Sequence, residues 1–105
     1  MYAIAVLRYR RSLDEVLTVL DAHRAYLQEL HRKGILLVSG PFEPRTGAAL
    51  VFRVSNAASA AGELDAIREK DPFVRQGMAQ YEIQMWDPVI GREDLDRIGV
   101  GDRSA

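Results

Sequence analysis

The chain opens on an unbroken apolar and aromatic run from Tyr2 to Tyr9, with Tyr2, Ile4 and Val6 on one alternating face and Ala3, Ala5 and Leu7 on the other. A strand apolar on both faces is one covered on both sides. Past Arg10 and Arg11 the period changes: Leu13, Val16, Leu17, Leu20, Leu27 and Leu30 recur at intervals of three, four and seven, which predicts one long amphipathic helix from about Ser12 to Lys33. Ser12 with Glu15 three residues later forms a capping box, Asp14 adds a favourable charge in the first turn, and Gly34 supplies the left-handed stop. Ile35 to Val38 is a second strand closed by Ser39-Gly40-Pro41, and Phe42 to Gly47 is a loop or hairpin end. Ala48 to Val54 is a third strand, after which Ser55 or Asn56 caps a second helix over about 57 to 70. Asp71-Pro72-Phe73 starts a single helical turn running to Gly77, because Asp suits the cap and Pro the first helical position. From Ala79 to Trp86 polar and apolar residues alternate, which marks a fourth strand with one wetter face at a sheet edge. The tail beyond Asp87-Pro88 is rich in Asp, Arg and Gly, and is either loosely attached or used to clasp a partner.

Strand, helix, strand, strand, helix, strand is the split βαβ order of an α+β, ferredoxin-like βαββαβ fold, with two helices on one face of a four-stranded antiparallel sheet. The domain spans 1–88 and the C-terminal tail 89–105. Helices cover one face only, yet the first strand is apolar on both sides. The third places Leu50, Phe52 and Val54 on one side and Val51 on the other. A homodimer with sheets face to face would supply the missing cover.

Bulk properties then narrow the function. At 105 residues, 48% hydrophobic and 28% charged, the chain is one soluble domain. A net charge of -1 with no basic run argues against nucleic-acid and membrane-surface partners, no apolar stretch is long enough to span a bilayer, and the expected location is the cytoplasm. Absence of cysteine removes disulfides, thiolate metal sites and thiol nucleophiles. Two histidines eight residues apart make a poor metal pair, so neither metal nor other cofactor is expected.

His23 lies inside the apolar arc of the long helix, with Val19, Leu20, Tyr26 and Leu27 three and four positions away, and should be at least half buried. His31, in the last turn, suits an ordinary interaction with the orphan carbonyls. Arg8 alternates with Ile4 and Val6, which places its guanidinium in the same buried layer, where it needs an internal or a substrate carboxylate.

His23 followed by Tyr26-Leu27, then Gly34-Ile35-Leu36, Ser39-Gly40-Pro41, Gly47 and Asp71-Pro72-Phe73, resembles the YciI-like (YCII-related) family in order and approximate spacing over about residues 1 to 88. The resemblance implies a dimeric α+β barrel of ferredoxin-like subunits, with a cleft centred on a histidine and an aspartate. On this chain these are His23 and Asp71, with Ser39 as a neighbour. A minority of that family resembles muconolactone isomerases or catalyses elimination on chlorinated hydroxymuconate-type acids. The tail from about Arg92 lies outside the resemblance.

Each residue has an ordinary alternative. His23 can be a core histidine satisfied by backbone, Asp71 a helix cap and Ser39 a turn residue bonded to a local amide. Capping and catalysis are compatible for Asp71, one carboxylate oxygen taking the helix amides while the other fixes the imidazole tautomer. No Gly-x-Ser-x-Gly elbow surrounds Ser39, and Gly40 and Gly47 do not form a phosphate cradle. The sequence therefore points to a cofactor-independent lyase or isomerase acting on a small unsaturated organic acid. His23 would shuttle a proton, Asp71 hold the ring, Ser39 and Gly40 bind substrate oxygens and Arg8 meet a carboxylate. The competing reading is a non-enzymatic dimer that binds a small ligand or a partner, with a structural histidine.

Overall fold

The computed structural model describes residues 1–98. Four strands, β1 (Tyr2–Tyr9), β2 (Leu36–Pro41), β3 (Gly47–Arg53) and β4 (Ala79–Trp86), form one antiparallel sheet in the order β2-β3-β1-β4. With a helical connection between β1 and β2 and another between β3 and β4, this is the α+β ferredoxin-like arrangement, and β4 takes the edge that its alternation requires. No helix among the described residues is long and apolar enough to cross a membrane.

The first helical stretch is two helices, α1 (Leu13–Leu17) and α2 (Leu20–Arg32), where the apolar periodicity implies one. The interruption has a local cause. Amides of Thr18 and Val19 bond the carbonyls of Glu15 and Val16, three residues back, and Thr18 Oγ1 donates to the Glu15 carbonyl at 2.6 Å. Leu13 and Leu17 turn outward as a result, while Val16, Val19, His23, Leu27 and Leu30 face the core. The caps are as the sequence requires: Ser12 accepts from the Glu15 amide, and Gly34 follows α2 at φ +79°.

Asn56 caps α3 (Ala57–Lys70) by accepting from the Ser59 amide, and α4 (Pro72–Arg75) is the single turn expected after Asp71. These four helices lie on the side of the sheet carrying Ala3, Ala5, Leu7, Leu50 and Phe52, all fully buried. Phe52 and Leu50 each contribute roughly 1.5–3 kcal/mol through burial.

Two departures in β2 and β3 shape the site. The register slips between Leu36, opposite Phe52, and Val38, opposite Val51, so Leu37 is an extra residue. This bulge inverts the alternation beyond it and sets Ser39 opposite Leu50 and Pro41 opposite Ala48, on the helix side of the sheet. Gly47 begins β3 so close to β1 that a Cβ there would sit 2.0 Å from the Leu7 carbonyl oxygen.

The opposite face carries Ile4 and Val6 of β1, Val51 of β3 and Val38 of β2. Arg8 is on this face too, in register with Ile4 and Val6, but among the described residues the layer is open around it. Its guanidinium is exposed and Nε donates to Glu82 at 2.9 Å, so the expectation of a buried arginine is corrected while that of an internal carboxylate partner holds. One end of the face is roofed by the chain itself. Residues of the tail form α5 (Arg92–Arg97), Tyr2 donates to Asp96, and Arg53 donates to the carbonyls of Leu95, Asp96 and Ile98 at 2.9–3.1 Å. The tail is docked on its own sheet as far as Ile98; its remaining residues lie outside those described.

Candidate active site around His23

Asp71 is the point on which the site converges. It ends α3, caps α4 and is fully buried, with its backbone amide donating to Arg68 and its carbonyl accepting from Val74 and Arg75. Three donors meet its carboxylate. Oδ1 accepts from the Phe73 amide at 2.9 Å and pairs with His23 Nδ1 at 2.8 Å, and Oδ2 accepts from the Tyr81 hydroxyl of β4. Capping and imidazole binding thus fall on the same oxygen, where separate oxygens were expected, and the second oxygen is held by a tyrosine.

A carboxylate at Nδ1 accepts the proton there, which leaves Nε2 as the ring nitrogen without a hydrogen-bonding partner among the described residues. The ring is further fixed by Phe73, stacked on it with centroids 3.9 Å apart and planes 6° from parallel, and Phe73 meets Tyr9 edge-on. Both tyrosines nearby remain neutral phenols at physiological pH. Burial, then the charge of Asp71, pushes Tyr26 up to about 12; Tyr81 is raised by burial first and by Asp71 second. Tyr26 donates to the Ile67 carbonyl at 2.8 Å and ties α2 to α3.

A cavity of about 230 Å³ lies against the imidazole, bounded by α2, the end of β2, the β2–β3 connection and Phe73. His23, Ser39 and Gly40 line it together, whereas Asp71 stays sealed behind the ring and Arg8 is on the other side of the sheet. Ser39 is exposed within β2 and its hydroxyl makes no bond to a local amide among the described residues. Its volume is below the ~300–1,000 Å³ of sites for drug-sized ligands, so the occupant is small. No cluster of three or more His, Cys, Asp or Glu among the described residues is arranged to hold a metal ion.

A family model of the YCII-related domain matches residues 1–87. The chain belongs to the YCII-related family. Among solved structures, this YCII-related domain is similar to 5-chloro-2-hydroxyhydroquinone dehydrochlorinase (TftG) from Burkholderia phenoliruptrix AC1100, in complex with 2,5-dihydroxybenzoquinone. The TM-score is 0.68 at 23% identity, over 83% of this chain and 94% of the other, a likeness that establishes the shared fold. No curated protein matches the chain.

Sequence reasoning missed several residues of this YCII-related site. Tyr81 is in sequence an aromatic of the fourth strand suited to a core or an interface, and its bond to Asp71 spans α4 and appears only in three dimensions. Arg24 and Arg45, both lining the cavity, carry no signal in the sequence, since a lone arginine on a helix or in a loop has no pattern. Phe73 was visible within the Asp71-Pro72-Phe73 motif, but its ring stacking was not.

Proposed function

We propose that this protein is a lyase or isomerase that moves a proton on a small unsaturated organic acid, with His23 as general base and acid. The observation that carries the reading is the His23 ring itself: Nδ1 is anchored on a buried carboxylate while the ring borders an open cavity. That is the arrangement in which Nε2 can take a proton from carbon and the resulting imidazolium is stabilised by the carboxylate behind it. In an elimination, the C–H bond breaks to His23, a double bond forms, and a leaving group such as chloride departs with the electron pair of its own bond. In an isomerisation, His23 returns the proton to a different carbon. Asp71 fixes the tautomer, Tyr81 and the Phe73 amide fix Asp71, and Ser39 with the backbone at Gly40 meets substrate oxygens.

Two facts support the class of chemistry. The family is YCII-related, and the similar solved structure is that of a dehydrochlorinase holding a dihydroxybenzoquinone, an enzyme of elimination on a small oxygenated ring. We also propose a homodimer across the open sheet face, supported by its exposed and half-exposed apolar residues, Val38 at 55% among them.

The test is turnover of a panel of halogenated hydroxyquinols and unsaturated hydroxy acids by the wild type and by His23→Asn. A loss of roughly 100- to 10,000-fold in kcat is expected in the variant. Full turnover without the imidazole refutes the mechanism. The alternative, a ligand-binding module in which His23 only joins α2 to α4, draws on the near-complete burial of the pair; there the wild type would bind members of the panel without converting any.

A further inference from the structure

Two cations line the cavity beside His23 whose charge no described residue neutralises. Other arginines have internal partners: Arg8 pairs with Glu82, Arg32 with Glu29, Arg68 with Asp65, and Arg53 donates to three carbonyls of the C-terminal segment. Arg24 of α2 and Arg45 of the β2–β3 connection have no carboxylate within ion-pair distance among the described residues. Among the described residues Arg45 makes only a long contact, Nε to the Tyr9 hydroxyl at 3.5 Å, and Arg24 makes none. They approach the same cavity from two different walls. Arg75 is also without a carboxylate among the described residues, but it stands at the end of α4 and lines no part of this cavity.

We infer that Arg24 and Arg45 form an anion clamp for the carboxylate of the substrate, the role that Arg8 cannot take from the far side of the sheet. The inference rests on the proton-transfer reading above and specifies how that site chooses its substrate. Guanidinium groups grip a carboxylate through paired N–H donors, and such charge-assisted bonds are stronger than neutral ones. Leu20, Leu27, Ala48 and Phe73 line the remainder, so the cavity offers an apolar bed for a short unsaturated chain or single ring between a cationic mouth and the imidazole. Arg24, Leu27 and Ser39 also border a neighbouring cavity of about 390 Å³ that runs along β2 toward Val38. A carboxylate held by Arg24 therefore sits where the two spaces meet, and longer acids extend into the second.

The test measures binding, so it is independent of turnover. Titrating the labelled protein with sorbate, a six-carbon unsaturated monocarboxylate, and with its uncharged amide gives dissociation constants from amide chemical shifts. Sorbate should bind at least about 10-fold more tightly than the amide, and Arg24→Gln or Arg45→Gln should each weaken sorbate by about 10- to 100-fold while leaving the amide unchanged. Arg75→Gln removes the same charge from the protein and should leave sorbate binding as it was. Equal binding of acid and amide, no sorbate binding at tens of millimolar, or equal weakening by all three substitutions overturns the clamp. Dispersed spectra report directly that the variants are folded. Retained turnover in His23→Asn would refute proton transfer without altering these constants, whereas failure here would leave proton transfer standing with a different mode of substrate recognition.

Discussion

His23 and Asp71 stand 48 residues apart in sequence and 2.8 Å apart in the fold. The contact joins α2 to the junction of α3 and α4, and through Tyr81 it reaches β4, so one carboxylate ties helix layer to sheet. Asp71→Ala leaves an imidazole N–H, a peptide N–H and a phenol buried without their acceptor. A loss of about 3–5 kcal/mol in unfolding free energy by urea denaturation is expected. Asp71→Asn keeps the volume but cannot accept from all three donors, and should lower kcat by at least roughly 100-fold while the protein still folds.

Alkaline stability follows from two phenols, Tyr81 buried and Tyr26 half-buried. A tyrosine whose folded-state value lies above its unfolded value, near 10, favours the folded state below that pH and ceases to do so as pH rises through the folded value. For Tyr26 that window runs from about 10 to about 12, and Tyr81 adds to the loss in the same direction. Stability should fall as pH rises from about 10, and the double variant Tyr26→Phe/Tyr81→Phe should flatten the decline. Denaturation midpoints across the alkaline range check this.

Much of the architecture is legible in the sequence because its punctuation is local. Ser12 with Glu15, Gly34, Asn56 and Asp71-Pro72 each act within a few residues, and all four mark the boundaries observed. The break at Thr18 and Val19 is not legible, since the apolar period continues across it and the competing bond is a single threonine hydroxyl. Arg8 is the instructive case: its register with Ile4 and Val6 is right, but alternation says which residues share a face and not whether one chain can cover it. In sequence Ser39 closes the second strand, because the Ser-Gly-Pro triplet ends the apolar run; the bulge at Leu37 carries the strand on through it and determines the side on which the hydroxyl emerges.

Two glycines that look alike in sequence should behave oppositely. Gly47→Ala places a methyl against the Leu7 carbonyl and forces β1 and β3 apart, for an expected cost of about 1–3 kcal/mol or more. Gly40 has nothing within 4 Å of the corresponding position, so Gly40→Ala should stay within about 0.5 kcal/mol of the wild type. Thermal and urea unfolding of the pair measures the contrast.

The proposed assembly is tested at Val51, partly exposed at the middle of the open face. Val51→Lys should convert the dimer to a monomer in sedimentation velocity, with unfolding of the single chain changed by less than about 1 kcal/mol. A wild type that sediments as a monomer at every concentration would rule the dimer out.

α5 gives that assembly a rival. Because Tyr2 and Arg53 moor α5 on the very surface a second copy would use, the two occupants share one platform, and free energy gained by either is partly withheld from the other. Trimming the protein just ahead of Arg92 should therefore do more than shorten it. It would vacate one end of the platform, and the shift in subunit affinity would measure how strongly the chain competes with its own twin.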